Sequence, residues 1–190
     1  MNNLIEETWS IVEKVVKARG RKLQKYSFFE RVWKSLYENK PLTIVRAPTG
    51  CGKTEASTIP FIKTLAEARR RWLSLIYALP TRSLAFSMRR RLASYLKVIG
   101  VDWATTILDY GTLFEIKPYL EGDIAVTTYD TLIYEFYGIV RPKFYILLPF
   151  AKILSSLIVL DEVQLLQDEF WYAMSLVPYH ISALVSAGAQ

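Results

Sequence analysis

The 190-residue sequence is poor in cysteine and histidine, with one of each. A lone cysteine, Cys51, excludes an internal disulfide and any cysteine-rich zinc site. A lone histidine excludes a multi-histidine metal cluster and leaves His180 a structural or surface role. Long apolar runs are also missing. The greasiest stretch, Tyr145 to Leu160, is broken by Pro149 and Lys152 and runs into Asp161, too short and interrupted to span a bilayer. The opening residues, Met1-Asn2-Asn3-Leu4-Ile5-Glu6-Glu7, are acidic and polar, unlike a signal peptide. A soluble, cytoplasmic chain with no membrane partner is expected. No internal repeat or low-complexity tract is visible. With 52% apolar residues, disorder is not expected, and the length suffices for one α/β domain with a sizeable core. The balance of 24 Lys+Arg against 18 Asp+Glu, net +6, is compatible with a polyanionic partner but does not establish one.

Glycine is sparse too, yet two of the eight fall in one run: Ala47-Pro48-Thr49-Gly50-Cys51-Gly52-Lys53-Thr54. An apolar segment, Leu42-Thr43-Ile44-Val45, precedes it and reads as a strand over 42–46; a helix is expected from Lys53. Strand, glycine loop, helix is the order of a phosphate-binding P-loop. A triphosphate needs inward-pointing backbone N–H groups, and Gly50 and Gly52 remove the side chains that would block them. Thr49, Gly50, Cys51, Gly52, Lys53 and Thr54 are the expected nucleotide-binding residues. Lys53 brings a positive charge to the β/γ-phosphates, and the Thr54 hydroxyl ligates Mg²⁺. Ala47 stands where the general pattern has its first glycine. A glycine turn that binds nothing is the alternative.

Elsewhere the chain alternates helical and extended patterns. Helices are expected over 4–18, from Ser27 to about Tyr37 with Glu30 at capping-box spacing, and from Lys53 to about Arg70. Further helices are expected over Ser83–Val98, over Thr131–Tyr137, and from about Asp168 through Phe170, Trp171, Met174 and Leu176. Strands are expected at Leu73–Leu79, Trp103–Leu108, Ile124–Thr127 and Leu157–Leu160. Residues 138–155 carry Pro142 and Pro149 and take no assignment. The alternation predicts an α/β fold, a mostly parallel sheet covered on both faces, with ligands at the carboxyl ends of its strands. The glycine loop, Pro80-Thr81-Arg82, Thr127-Thr128 and Asp161-Glu162 all fall at such ends. Arg69-Arg70-Arg71 and Arg89-Arg90-Arg91 sit on expected helices and read as solvated faces, since three consecutive residues point in different directions. Trp72 and Trp171 read as core or interface residues before base-stacking ones.

Asp161-Glu162-Val163-Gln164 follows four aliphatic residues. A carboxylate at the tip of a buried strand beside a P-loop can hold Mg²⁺ through its water shell. Asp161 would serve the metal and Glu162 would polarise the attacking water as general base. A solvated strand end is the bland alternative for this pair taken alone.

Four elements occur in one order: Ala-Pro-Thr-Gly-Cys-Gly-Lys-Thr; Ala78-Leu79-Pro80-Thr81-Arg82-Ser83-Leu84-Ala85; Val126-Thr127-Thr128-Tyr129-Asp130; and Asp161-Glu162-Val163-Gln164. Over roughly residues 25–175 they resemble motifs I, Ia, a later strand-end motif and II of superfamily 2 helicases. The Asp-Glu-Val-x and Thr-Thr-x-Asp forms look most like the CRISPR-associated interference helicases of type I systems. The resemblance implies a RecA-like P-loop lobe using ATP and Mg²⁺, with Lys53, Asp161 and Glu162 catalytic and Thr54 and Asp161 on the metal. It implies that Pro80, Thr81, Arg82, Thr127 and Thr128 lie along a single strand of nucleic acid, DNA ahead of RNA, and that Gln164 reports nucleotide state. Hydroxyls, backbone N–H groups and an arginine grip phosphates without reading sequence. A separate nuclease subunit and a CRISPR surveillance complex are the implied partners.

Departures from the family pattern shape the expectation. Many such helicases place a glutamine upstream of the P-loop; this chain has Phe28-Phe29-Glu30, with Glu30 in a capping role. Residue 164 is Gln where the CRISPR family often has His. One histidine cannot build a nuclease metal site. The expected division is N-terminal helices over 1–40 and RecA-like domain 1 over 41–190, ending before motif III, with the second RecA-like domain absent. Such a lobe binds nucleotide weakly and unwinds nothing by itself. The competing readings are a small P-loop kinase of nucleosides or metabolites and a non-catalytic docking fragment.

Overall fold

The computed structural model describes residues 2–110, 120–138, 147–166 and 172–190. They divide into two compact units: Met1–Arg71 with Ser94–Trp103, and Trp72–Ala93 with Ala104–Gln190.

The first unit is helical. Helices α1 (Asn2–Ala18), α2 (Ser27–Tyr37) and α3 (Lys53–Ala66) pack through the apolar faces that the sequence marks. Val12, Val15, Trp33, Ile59, Phe61 and Ile62 are fully buried. Trp9, Phe29 and Trp33 form a ring cluster, stacked at 5.0 Å and edge-on at 4.8 and 5.6 Å between centroids. Pro60 lies inside α3 and has no N–H to give the carbonyl of Ala56 four residues back. The Trp33 indole N–H takes that acceptor at 3.0 Å, so the proline is accommodated without an orphaned carbonyl.

Three expectations fail in this unit. Residues 42–46 form no strand. Their burial alternates as a strand's would, but Leu42 and Ile44 are 48% and 84% exposed, and among the described residues no ladder includes them. Period-2 patterning specifies extension; a strand also needs a paired edge. The Ser27–Glu30 capping box is not made. Tyr26 is the N-cap, without a side-chain cap bond, and Glu30 Oε1 accepts the Trp9 indole N–H at 3.0 Å. Arg69-Arg70-Arg71 is not helical either, because Ala68 turns left-handed (φ 51°) and ends α3 at Ala66. Arg71 instead donates to the Tyr37 carbonyl at 2.6 Å and to Asn39 Oδ1, while Arg70 lies over the Trp103 ring.

The second unit is a parallel α/β sheet. Strands β1 (Leu75–Leu79), β2 (Thr106–Asp109), β3 (Ile124–Thr128) and β4 (Leu157–Leu160) run in the order β2-β3-β1-β4, every pair parallel. β1 and β3 are buried along their whole length, as near-continuous apolar runs in a parallel sheet must be. Helix α4 (Arg82–Ile99) follows β1, α5 (Tyr129–Tyr137) follows β3, α6 (Leu147–Leu154) precedes β4 and α7 (Tyr172–Ser186) closes the chain. Ile76, Ala78 and Ala125 pack with Leu132, Phe136, Ile153 and Leu184 from α5, α6 and α7. Trp72 is a core residue, 4% exposed, its indole bonded to Gln190 Oε1 at 2.8 Å. β1 and β2 start later than the patterns suggest, and α5 begins two residues earlier. Pro149 enters the first turn of α6, where its missing N–H costs nothing. Asp168, Phe170, Trp171 and Pro142 lie outside the described residues. Among those described, no helix is long and apolar enough to cross a membrane.

Candidate nucleotide and nucleic-acid site

In the first unit the glycine run forms a turn that opens α3. Gly50 and Gly52 have φ of +85° and +86°, and Gly52 is the helix N-cap. These left-handed positions allow successive N–H groups to face one concavity, the geometry that receives anions. Around Gly50 no atom of the described residues, its chain neighbours aside, comes within 4 Å of where a Cβ would stand; at Gly52 a Cβ would meet Phe29 Cζ at 2.7 Å. Gly52 is therefore fixed by conformation and by space. The Lys53 ammonium donates to the carbonyls of Ala47 at 2.8 Å and Pro48 at 3.2 Å, closing the turn on itself. Thr49 is exposed, Cys51 partly so, and Thr54 is buried in the first turn of α3, its carbonyl accepting from Ser57 and Thr58.

Behind Thr54 lies a charged cluster that the motif pattern does not announce. Glu55 is 4% exposed; its Oε1 accepts from Arg19 at 3.0 Å and from the Tyr95 hydroxyl at 2.5 Å. Arg19 also reaches the Tyr95 hydroxyl at 3.0 Å. A buried carboxylate needs such partners, and Arg19 ties the turn after α1 to the start of α3.

In the second unit the parallel register brings the remaining candidates to one edge of the sheet. Leu79 pairs with Thr128 and Ala78 with Leu160, so Pro80-Thr81-Arg82, Thr127-Thr128 and Asp161-Glu162 all stand at carboxyl ends. Thr81 caps α4: its hydroxyl accepts the Leu84 N–H at 3.4 Å. Thr81 and Arg82 are exposed, and the Arg82 guanidinium sits 5.5 Å from the Tyr110 ring centroid. Thr127 is fully buried and Thr128 is 6% exposed. The Thr128 hydroxyl caps α5, accepting the Thr131 N–H at 3.4 Å and pairing with the Thr131 hydroxyl at 3.0 Å.

Asp161 continues the ladder through its N–H to the Ala78 carbonyl at 3.1 Å. Its Oδ2 accepts the Tyr77 hydroxyl at 2.5 Å, its Oδ1 the Glu162 N–H at 3.0 Å, and its backbone carbonyl the Tyr129 hydroxyl at 2.8 Å. Burial, then the charges of Asp161 and Glu162, push the Tyr129 phenol well above its ordinary value, so it stays a donor. Glu162 has φ 56°, ψ 34°, a left-handed conformation uncommon outside glycine, and starts a single 3₁₀ turn, Val163–Leu165. Gln164 is exposed, and its amide donates to Glu162 Oε2. His180 packs edge-on against Tyr137, consistent with a structural role. No cluster of three or more His, Cys, Asp or Glu suited to a metal ion occurs among the described residues.

Sequence reasoning missed Tyr77, Tyr129 and Arg19. Only the position of Tyr77 two residues before a strand's carboxyl end, and of Tyr129 directly after Thr127-Thr128, could have drawn attention to the first two.

The family model for the DEAD/DEAH box helicase matches residues 27–187. A "CRISPR-associated helicase Cas3" of Thermoproteus tenax is 29% identical over 162 residues, covering 77% of this chain and 28% of that protein. A "DEAD-box ATP-dependent RNA helicase 1" of Oryza sativa subsp. japonica is 29% identical over 77 residues, 40% of this chain and 15% of that protein. The chain thus spans 28% or less of the length of either curated relative. No solved structure matches. With the helicase model covering most of its length, and a parallel sheet carrying the acids at its carboxyl edge, the chain belongs to the DEAD/DEAH box helicase family.

Proposed function

We propose that this chain is the ATP-binding motor lobe of a nucleic-acid-dependent ATPase, working in the DNA-unwinding helicase of CRISPR type I interference. The carrying observation is the shared carboxyl edge of the parallel sheet, where the exposed Thr81 and Arg82 follow β1 and the Asp161-Glu162 pair follows the adjacent β4. Similarity to a CRISPR-associated helicase supports the narrower setting. Residues 41–190 act as the first RecA-like lobe, and a second lobe completes the motor in the cytoplasm. The lobe alone unwinds nothing, because unwinding needs a cleft that closes and opens between two lobes.

The residues present fit a magnesium nucleotide. The open space at Gly50 and the left-handed glycines suit a phosphate cradle at the N-terminus of a 14-residue helix. Each Asp161 carboxylate oxygen accepts one protein hydrogen bond and keeps a lone pair for a metal-bound water. Thr54 and Asp161 would hold Mg²⁺, which neutralises charge on the phosphates. Lys53 exchanges the carbonyls of Ala47 and Pro48 for phosphate oxygens. Glu162 takes the proton of the attacking water, with Gln164 holding its Oε2.

Pro80, Thr81 and Arg82 meet the nucleic-acid backbone at the N-terminus of α4, whose dipole favours phosphate. Thr127 and Thr128 shape the β3–α5 turn beside them, and Thr128 acts as the α5 cap more than as a free hydroxyl. DNA is the proposed strand; a nuclease subunit and a surveillance complex are the proposed partners.

The test is hydrolysis by the protein carrying both lobes, with and without single-stranded DNA. Lys53→Ala should abolish nucleotide binding, and Glu162→Gln should retain binding and stop turnover. Normal hydrolysis by the Glu162→Gln variant would remove the base assignment. ADP formation that depends on a small acceptor and ignores DNA would replace the motor by a kinase.

A further inference from the structure

The Asp161–Glu162 pair is braced by two tyrosines that belong to no phosphate or metal motif. The Tyr77 hydroxyl donates to Asp161 Oδ2 at 2.5 Å, on the opposite carboxylate oxygen from the Glu162 N–H. With both oxygens engaged, the carboxylate plane has one orientation. The Tyr129 hydroxyl donates at 2.8 Å to the Asp161 carbonyl, the oxygen of the peptide that links Asp161 to Glu162. The tilt of that peptide sets the direction in which Glu162 leaves the strand. Glu162 is held at φ 56°, and such conformations persist where the surroundings over-determine them. The Tyr129 bond supplies one restraint and the Leu165 N–H, bonded to the Glu162 carbonyl at 2.9 Å, another. Tyr77 is 1% and Tyr129 7% exposed, so each acts through the acids and not on a ligand.

The geometry points to Tyr77 and Tyr129 as paired positioning residues: Tyr77 fixes the Asp161 carboxylate, and Tyr129 fixes the peptide that aims Glu162. The inference rests on the reading of this pair as the metal and base residues of an ATPase. Buried hydroxyl–acceptor bonds of this kind are worth enough to change a conformational population by roughly tenfold.

Tyr77→Phe and Tyr129→Phe keep the rings and remove one hydroxyl each. In the ligand-free chain, amide hydrogen exchange at Glu162 and Leu165 should quicken by roughly tenfold in Tyr129→Phe, while β1 and β3 keep their protection. In the protein carrying both lobes, Tyr129→Phe should lower kcat by roughly tenfold with nucleotide Kd within about twofold of wild type. Tyr77→Phe should raise the half-saturating Mg²⁺ concentration by about fivefold. Unchanged exchange at Glu162 with kcat within about twofold of wild type overturns the Tyr129 arm. An unchanged Mg²⁺ requirement overturns the Tyr77 arm. Losses that accompany a general loss of protection across β1 and β3 overturn both, since they report unfolding. Lys53→Ala separates this inference from the reading beneath it. If that variant still binds nucleotide, the ATPase reading falls; if it does not and the tyrosine variants behave as wild type, only the tyrosine inference falls.

Discussion

Replacing Gly52 by alanine perturbs the P-loop where two constraints meet. The position has φ +86°, and an L-residue in the left-handed region costs about 1–2 kcal/mol. The new Cβ would also lie 2.7 Å from Phe29 Cζ and 3.2 Å from its Cε2. Phe29 is 3% exposed and is wedged between the Trp9 and Trp33 rings at 5.0 and 5.6 Å, so it has little room to swing aside. Overpacking of this kind adds about 1–3 kcal/mol, for a total loss of about 2–5 kcal/mol. Gly50 provides the control: its φ is +85°, but among the described residues beyond its chain neighbours no atom lies within 4 Å of an added Cβ. Gly50→Ala should therefore cost only the backbone term, about 1–2 kcal/mol. Urea unfolding of both variants by circular dichroism measures the difference, expected at about 1–3 kcal/mol. Phe29→Leu removes the atoms in the way, and in that background Gly52→Ala should cost no more than Gly50→Ala. Equal destabilisation by the two glycine variants, or a Gly52 penalty undiminished by Phe29→Leu, would refute the packing argument.

Arg19→Ala removes the guanidinium from the buried Glu55 carboxylate and should destabilise the chain by about 2 kcal/mol in urea unfolding, with part of the loss recovered by Glu55→Gln; an unchanged midpoint would show the ion pair to be inconsequential. Trp33→Phe deletes the donor that serves the Ala56 carbonyl, and Pro60→Ala restores a backbone donor to that carbonyl, so a double-mutant cycle should show a coupling of about 1 kcal/mol; strict additivity would deny the compensation. Raised pKa values at Tyr129 and Tyr37, both from burial first, mean that the fold favours the protonated phenols. Their contribution is complete below the unfolded tyrosine pKa of about 10 and is lost as pH rises above it. Lys63 adds to the same loss, because its bonds to Glu67 and Glu7 outweigh burial and raise its pKa. Urea stability should thus fall above about pH 10, and a phenolate absorbance that titrates fully before unfolding would contradict this.

Much of this fold was legible because its signals are local. The mostly apolar runs at 75–79 and 124–128 are the fully buried strands, the run at 157–160 is a strand buried only at Leu157 and half-buried beyond it, and the acids at 161–162 follow directly on β4. Residues 42–46 misled because their alternation is a local property and pairing is not. Ser27 and Glu30 misled in the same way: capping-box spacing is present, but Glu30 accepts the Trp9 indole N–H from 21 positions away. The tyrosine bonds to Asp161 join residues 84 and 32 positions apart, and nothing in the chain's periodicity marks them. The Arg19–Glu55–Tyr95 cluster is hidden for the same reason, spanning 36 and 40 positions from Glu55.

That Asp161 acts on the magnesium of a bound nucleotide is the claim on which the proposed motor rests. Calorimetric titration of ATP into wild type, Lys53→Ala and Asp161→Asn, each with Mg²⁺ and with EDTA, tests it directly. The predicted result is that Asp161→Asn weakens binding by about tenfold in Mg²⁺ but not in EDTA, while Lys53→Ala loses binding in both. Wild-type affinity of Asp161→Asn in Mg²⁺, or an equal loss in EDTA, would contradict it.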